Sequence, residues 1–293
     1  MIRLGVAGHL GYAGVAEVLT TLRRLAPSFG LVLSYESTLM ELAGDDAKVI
    51  DPLDVDAVMT LGGDGTFLRA SRLVEENPVP ILGLNLGRLG FLTSGPASAL
   101  QATLARFARG EYRVETRMTL DARVYDDHGE EKAAFRALND VVLHKGGFAR
   151  VVTLLVEAND QTVAVYSGDG VIIATPTGST AYNLSAGGPV VFPTLETIVV
   201  TPISAHTFAL RPLVLPPNFI VRVRSEDAPD AILVTVDGQV GANLSTGETL
   251  VVRRSSRPVS VVCFPESSFF ATMRQKLHWG GLPDRDERKT HAD

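Results

Sequence analysis

The chain has 293 residues, 45% of them hydrophobic and 20% charged, enough for one large core or two domains. A formal net charge of −6 with no block of Lys and Arg argues against a nucleic-acid or membrane-surface role. One cysteine, Cys263, leaves no intrachain disulfide and fits a reducing, cytoplasmic setting. The N-terminal MIRLGVAGHLGY is broken by glycines and lacks the continuous apolar core of a signal peptide. No apolar run reaches the ~18 residues that a membrane-spanning helix needs.

In chain order, Ile2 to Ala7 reads as a short buried strand. Val15, Val18, Leu19, Leu22 and Leu25 then recur at helical spacing. Asp56 to Leu61 reads as a second strand, followed by a glycine cluster and a helical Phe67 to Val74. Val79 to Leu84 reads as a third. Pro96 to Arg109 predicts a helix with Pro in its first turn and Gly110 as its stop. This alternation predicts a doubly wound parallel sheet over residues 1–111, an α/β nucleotide-binding domain of Rossmann-like type.

From 112 to 265 nearly every segment reads as a short strand between turn residues, among them Asp126-Asp127-His128-Gly129 and Asn159-Asp160. That predicts an all-β sandwich. Ser267 to Leu277 predicts a last helix with Ser267 as its N-cap. A charged tail, 284–293, is expected to be disordered.

Three stretches carry candidate chemistry. Leu61-Gly62-Gly63-Asp64-Gly65-Thr66 lies where a strand of a doubly wound sheet ends, the edge at which ligands bind. Its glycines let backbone N–H groups approach phosphate oxygens, and Thr66 is expected to cap the next helix. Asp64 is then a carboxylate inside a phosphate site, which points to work on a proton or a metal; the alternative is a plain tight turn. A second loop, Asn85 to Phe91, faces the same crevice. Gly8, Gly11 and Gly14 have the wrong spacing for a dinucleotide fingerprint and carry little weight. The third stretch runs from Gly168 to Pro189 and offers hydroxyls and the Tyr182 ring to a sugar or base.

GGDGT, LNDVVLHK, DGVIIATPTGSTAYNLSAGGP, TPISAHTFALRPLVLP and VDGQ, in this order and spacing, resemble the ATP/polyphosphate-dependent NAD kinase family. The resemblance runs from about Asp56 to about Gln239. It implies an α/β domain, a β-sandwich, and a C-terminal helix (266–283) returning to the first domain. The implied reaction is transfer of a phosphoryl group from ATP or polyphosphate to the 2′-hydroxyl of the adenosine ribose of NAD. A divalent ion, Mg²⁺, would arrive with the nucleotide rather than in a protein metal site. A homodimer or homotetramer is implied, with NAD bound between the domains.

Residue by residue, Asp64 matches the family's proton acceptor, beside Gly62, Gly63, Gly65 and Thr66. Arg69 and Arg150 match ligand-contacting positions, and Phe91, at the end of the second glycine loop, is a further candidate for nucleotide contact. Asn139 and Asp140 match the pair on the adenosine ribose. Ser167 and Asp169 fall near the nicotinamide end. Thr180, Ala181, Tyr182, Asn183 and Ser185 fall around the adenine, Thr177 in the turn before them is a candidate through its hydroxyl, and Gln239 falls in the DGQ motif. Asp140 stands where Glu is common, and Ser167 where several bacterial members carry a basic residue. GGDGT alone also fits a lipid kinase of the diacylglycerol or sphingosine type, and the fold alone fits a non-catalytic dinucleotide sensor.

Overall fold

The computed structural model describes residues 1–146, 151–206, 209–227 and 232–280. The first part of the chain forms β1 (Ile2–Gly8), α1 (Val15–Leu25), β2 (Leu31–Tyr35), α2 (Met40–Ala43), β3 (Ala57–Gly62), α3 (Asp64–Leu73), β4 (Ile81–Asn85), β5 (Gly95–Pro96), α4 (Leu100–Ala108) and β6 (Arg113–Arg117). Then come β7 (Leu120–Tyr125), β8 (Glu131–Ala137), β9 (Asp140–Lys145), β10 (Val152–Ala158), β11 (Gln161–Gly168), β12 (Gly170–Ala174) and α5 (Tyr182–Ser185). The remainder is β13 (Ile198–Ile203), β14 (Leu213–Leu215), β15 (Val221–Asp227), β16 (Ile232–Val236), β17 (Val240–Leu244), β18 (Thr249–Arg254), β19 (Val259–Cys263) and α6 (Phe269–Leu277).

The first sheet has the order β2-β1-β3-β4-β19-β6, with β5 beside β4. All its pairs are parallel except β19 with β6. Helices cover both faces. Leu19 and Leu22 of α1 join Leu100, Leu104 and Phe107 of α4 on one side. Phe67, Leu68 and Ala70 of α3 fill the other. This is the doubly wound α/β arrangement expected from the sequence.

One strand was not expected. β2 is a five-residue edge strand in which only Leu31 and Tyr35 are fully buried, too weak a pattern to stand out. The segment ending in the glycine cluster is therefore the third strand in sequence, though it lies directly beside β1.

The second part is a sandwich of two six-stranded antiparallel sheets, β11-β10-β15-β18-β7-β8 and β14-β13-β12-β9-β16-β17. Alternating residues such as Leu120, Ala122 and Val124, or Val152, Leu154 and Val156, supply its core. β12 is buried along its whole length, because Val191 and Ala186 cover its second face at Ile172 and Ala174. The Thr/Ser-rich stretch is thus laid across the outside of that sheet.

β6 and β19 lie within the 112–265 stretch that sequence patterning gives to the sandwich, yet both belong to the first sheet. β19 is apolar on both faces. Val261 and Cys263 pack with α3, and Val262 packs with α1 and α4. Such a strand suits a sheet sandwiched between helices, and alternation alone cannot say which sheet claims it. From β19 the chain enters α6, capped by Ser268 rather than Ser267, with Ser268 Oγ accepting from Ala271 N at 3.4 Å. The last three residues of the expected 266–283 segment, and the 284–293 tail, lie outside the described residues. Among the described residues no helix is long and apolar enough to cross a membrane.

Candidate active site

β3 is fully buried and ends at Gly62; α3 begins at once with Asp64. Gly63 is the N-cap, so the helix starts three residues earlier than a Thr66 cap would have it. Thr66 is instead buried in the first turn, with its hydroxyl against Gly62, where a Cβ would collide with it. Asp64 therefore sits at the positive end of the helix. The second glycine loop closes over it: Leu92 N donates to Oδ1 at 2.9 Å and Phe91 N to Oδ2 at 3.1 Å. Any side chain at Gly90 would overlap this carboxylate. Lys276, from the last turn of α6, also reaches Oδ2, at 3.1 Å.

In front of this loop lies a pocket of about 430 Å³ lined by His9, Gly11, Tyr12, Gly65, Thr66, Arg69 and Gln239. The first glycine loop, given little weight in the sequence, supplies one wall. A Cβ on Gly63 would come within 2.8 Å of Tyr12 Oη, so the loop and the ring need each other's shape. Arg69 faces the pocket, but Glu36 holds its guanidinium through two bonds at 2.7 and 2.8 Å, and a third reaches the Gly8 carbonyl.

Gln239 joins the two domains. Its Nε2 donates to Gly65 O at 3.3 Å, and its Oε1 accepts from Arg72 of α3. Two residues earlier Asp237 is buried in a left-handed conformation (φ 51°). It accepts from Leu138 N at 3.1 Å, Asn139 N at 2.7 Å and Asp140 N at 3.2 Å. This buried carboxylate fixes the Asn139–Asp140 turn.

Asp140 itself is only 4% exposed, and no donor among the described residues meets its side chain. Burial, then the charge of Asp237, pushes its carboxyl up to about 7. Burial raises Asp237 as well, against the three N–H donors and Arg72. Next to this pair Thr175 N donates to Asn139 O at 2.9 Å, and a Cβ on Gly178 would strike that same Asn139 carbonyl.

The Thr177–Ser185 stretch divides by burial. Thr177 is buried with its hydroxyl unpartnered. Thr180 bonds back to Thr177 O at 3.3 Å. Ala181 leads into α5; Tyr182, at its start, is 46% exposed, and Ser185 is exposed at its end. Asn183, expected to face a ligand, is fully buried. It bonds to Ser179 O, Pro189 O and Thr201 Oγ1 at 3.0, 3.0 and 2.7 Å, so both ends of its amide serve the fold.

Ser167 and Asp169 lie at the opposite end of β12 from Asn139 and Asp140. Gly170 pairs with His144, whereas Ala174 pairs with Asp140. At that far end Ser167 Oγ is 3.2 Å from Thr153 Oγ1. Asp169 is 2.7 Å from Lys145 Nζ, and that bond holds its carboxyl below the usual carboxylate value. Four residues of strand put roughly 13 Å between the two ends, so one chain does not gather them into one pocket. Arg150 lies outside the described residues. Among the described residues no group of three or more His, Cys, Asp or Glu could hold a metal ion.

Tyr12, Glu36, Asp237 and Lys276 are the site residues that motif reading missed. Only Asp237 had a sequence signal, as the first residue of DGQ.

Comparison with known proteins agrees with the two-part fold. The family model of the ATP-NAD kinase N-terminal domain matches residues 42–112, and that of the ATP-NAD kinase C-terminal domain matches 138–264. An NAD kinase of Gemmatimonas aurantiaca is 50% identical over 289 residues, 99% of this chain and 100% of the relative. One from Syntrophotalea carbinolica is 38% identical, over 96% of this chain and 99% of the relative. Among solved structures, yeast NADH kinase complexed with NADH superimposes with a TM-score of 0.86 at 24% identity, covering 97% of this chain and 89% of that one. An Archaeoglobus fulgidus NAD kinase in complex with ATP superimposes with a TM-score of 0.74 at 24% identity, over 94% and 99% of the two chains. At that identity the two structures speak for the fold alone.

Proposed function

The chain belongs to the NAD kinase family, and from that premise we propose that it phosphorylates NAD to NADP by moving the γ-phosphoryl group of ATP to the adenosine 2′-hydroxyl. The observation that carries this reading is the Asp237–Gln239 turn, in which Asp237 holds the Asn139–Asp140 backbone and Gln239 holds the loop of Asp64 at Gly65 O. A ribose on the first and a triphosphate on the second would then meet at Asp64. Phosphoryl transfer needs positioned oxygens, charge neutralisation and an acceptor for the hydroxyl proton. Gly62, Gly63 and Gly65 supply a loop open to phosphate, and Asp64 the proton acceptor.

Magnesium fits as an ion carried by the nucleotide, since the Asp64 oxygens are already met by Phe91 N, Leu92 N and Lys276. It would neutralise phosphate charge. Polyphosphate in place of ATP, a cytoplasmic setting, and a homodimer or homotetramer belong to the same proposal. In such an assembly the Ser167–Asp169 end of one chain would serve a neighbour's site.

A coupled assay of NADP formation from NAD, ATP and Mg²⁺ tests the reaction. A lipid kinase or a non-catalytic dinucleotide sensor would form none.

Tyr182 presents an exposed ring at the start of α5. Contact of that ring with the acceptor nucleotide is worth about 0.5–1.5 kcal/mol, so Tyr182→Ala raises the KM for NAD roughly two- to tenfold. The KM for ATP moves less. Steady-state kinetics with each substrate varied in turn checks this, and equal effects on both would remove Tyr182 from the acceptor site.

A further inference from the structure

Lys276 Nζ lies 3.1 Å from Asp64 Oδ2 and 4.9 Å from the centre of the Phe91 ring. The partners are 212 residues apart in the chain, so packing of α6 produces the contact. That packing is specific. Met273 is buried, and Phe269 meets Phe91 at 5.8 Å and Phe192 at 5.3 Å between ring centres. The aromatic cluster thus fixes the base of α6, and Lys276 in its last turn reaches Asp64 and, in the second glycine loop, the ring of Phe91.

An exposed ion pair of this kind contributes little to stability. These side chains are 36% and 26% exposed, so holding α6 is a weak reason for it. The chemistry of the site supplies a stronger one. Oδ2 already accepts from Phe91 N and Lys276, so little room is left there for a hydroxyl proton. A triphosphate in front of the loop brings several anionic oxygens, and an ammonium is a mobile point charge suited to them.

We propose that Lys276 is a ligand of the donor phosphate. When the donor binds, the ammonium leaves Asp64 Oδ2 for the γ-phosphoryl oxygens, and the vacated Oδ2 receives the acceptor hydroxyl. In the transfer the ribose oxygen bonds to the γ-phosphorus. The bond from that phosphorus to the bridging oxygen breaks, and its electron pair stays on ADP. The hydroxyl proton passes to Asp64. Lys276 stabilises charge on the moving phosphoryl group throughout. This rests on the kinase reading given above.

The test compares wild type, Lys276→Met and Lys276→Arg. Calorimetry with Mg²⁺ measures ATP and ADP binding, and initial rates give kcat and both KM values. The Met variant should bind ATP at least about tenfold more weakly and ADP within about twofold of wild type. Its kcat should fall on the order of a hundredfold, the scale of losing one charge-stabilising donor, with the KM for NAD unchanged. Arg should restore part of the loss, and this holds the test open if Met disturbs the packing of α6. Equal weakening of ATP and ADP, a kcat within about threefold of wild type, or a faster enzyme would each overturn the proposal. Wild-type protein that forms no NADP would sink the kinase reading instead, and the ATP-over-ADP comparison would still judge Lys276.

Discussion

Asp64→Asn is expected to lose at least about a hundredfold in turnover, the low end of what a positioned general base contributes. A sugar hydroxyl is a weak nucleophile at neutral pH, and Asp64 is the carboxylate held between the two glycine loops, next in the chain to Gly65 and Thr66 of the pocket wall. Its geometry is imposed twice, by the start of α3 and by the N–H groups of Phe91 and Leu92. Asparagine keeps the shape but has one acceptor oxygen for two N–H donors, so its amide nitrogen faces one of them. It also removes the charge that draws in the proton. In a loose transition state the proton leaves late, and alignment then counts for as much as basicity. A hundredfold corresponds to about 2.7 kcal/mol of barrier. Circular dichroism should show the fold intact, and calorimetry an NAD affinity close to wild type. Near-normal turnover would refute the role in proton transfer. Loss of NAD binding in step with turnover would recast Asp64 as a residue that holds substrate.

Asp64 was legible as a candidate because its loop carries local signals, a buried strand, three glycines and a helix start, although the Phe91 and Leu92 N–H groups that fix its carboxylate lie 27 and 28 residues further on. Gln239 and the Asn139–Asp140 turn were legible only as motifs. What links them, Gln239 to Gly65 and Asp237 to three consecutive amides, spans 97 to 174 residues of chain. Lys276 had no signal at all, being an ordinary base in the last turn of an amphipathic helix. Asn183 shows the reverse. Inside a stretch rich in hydroxyls and amides it reads as a ligand contact, whereas in the structure its buried side-chain amide joins β13 to the turn before α5. The fold was read more fully than the site, because helix and strand periods are local. The assignment of β6 and β19 to the first sheet, like the polar contacts, depends on partners that the pattern does not name.

Asp140→Asn is expected to stabilise the protein in a pH-dependent way. The Asp140 carboxyl is pushed up to about 7 by burial and by Asp237, from an ordinary value of 3.8. Below about pH 4 it is protonated in both the folded and unfolded chains and costs nothing. Between about pH 4 and 7 the folded chain holds a proton that the unfolded chain has released, so stability falls as pH rises, by about 1.4 kcal/mol per unit. The total reaches about 4 kcal/mol at pH 8, an order-of-magnitude figure. Asparagine cannot ionise, and its NH₂ can face Asp237. Urea melts should find the two proteins close at pH 4.5 and the variant several kcal/mol more stable at pH 8. Parallel curves across that range would mean that Asp140 is not strained in this way. The strain has a use if Asp140 accepts from the acceptor's ribose hydroxyls. Those donors favour the ionised form, so NAD binding near pH 7 should release protons. Calorimetry in buffers of different ionisation enthalpy would detect them in wild type, and their absence from Asp140→Asn would assign them to this carboxyl.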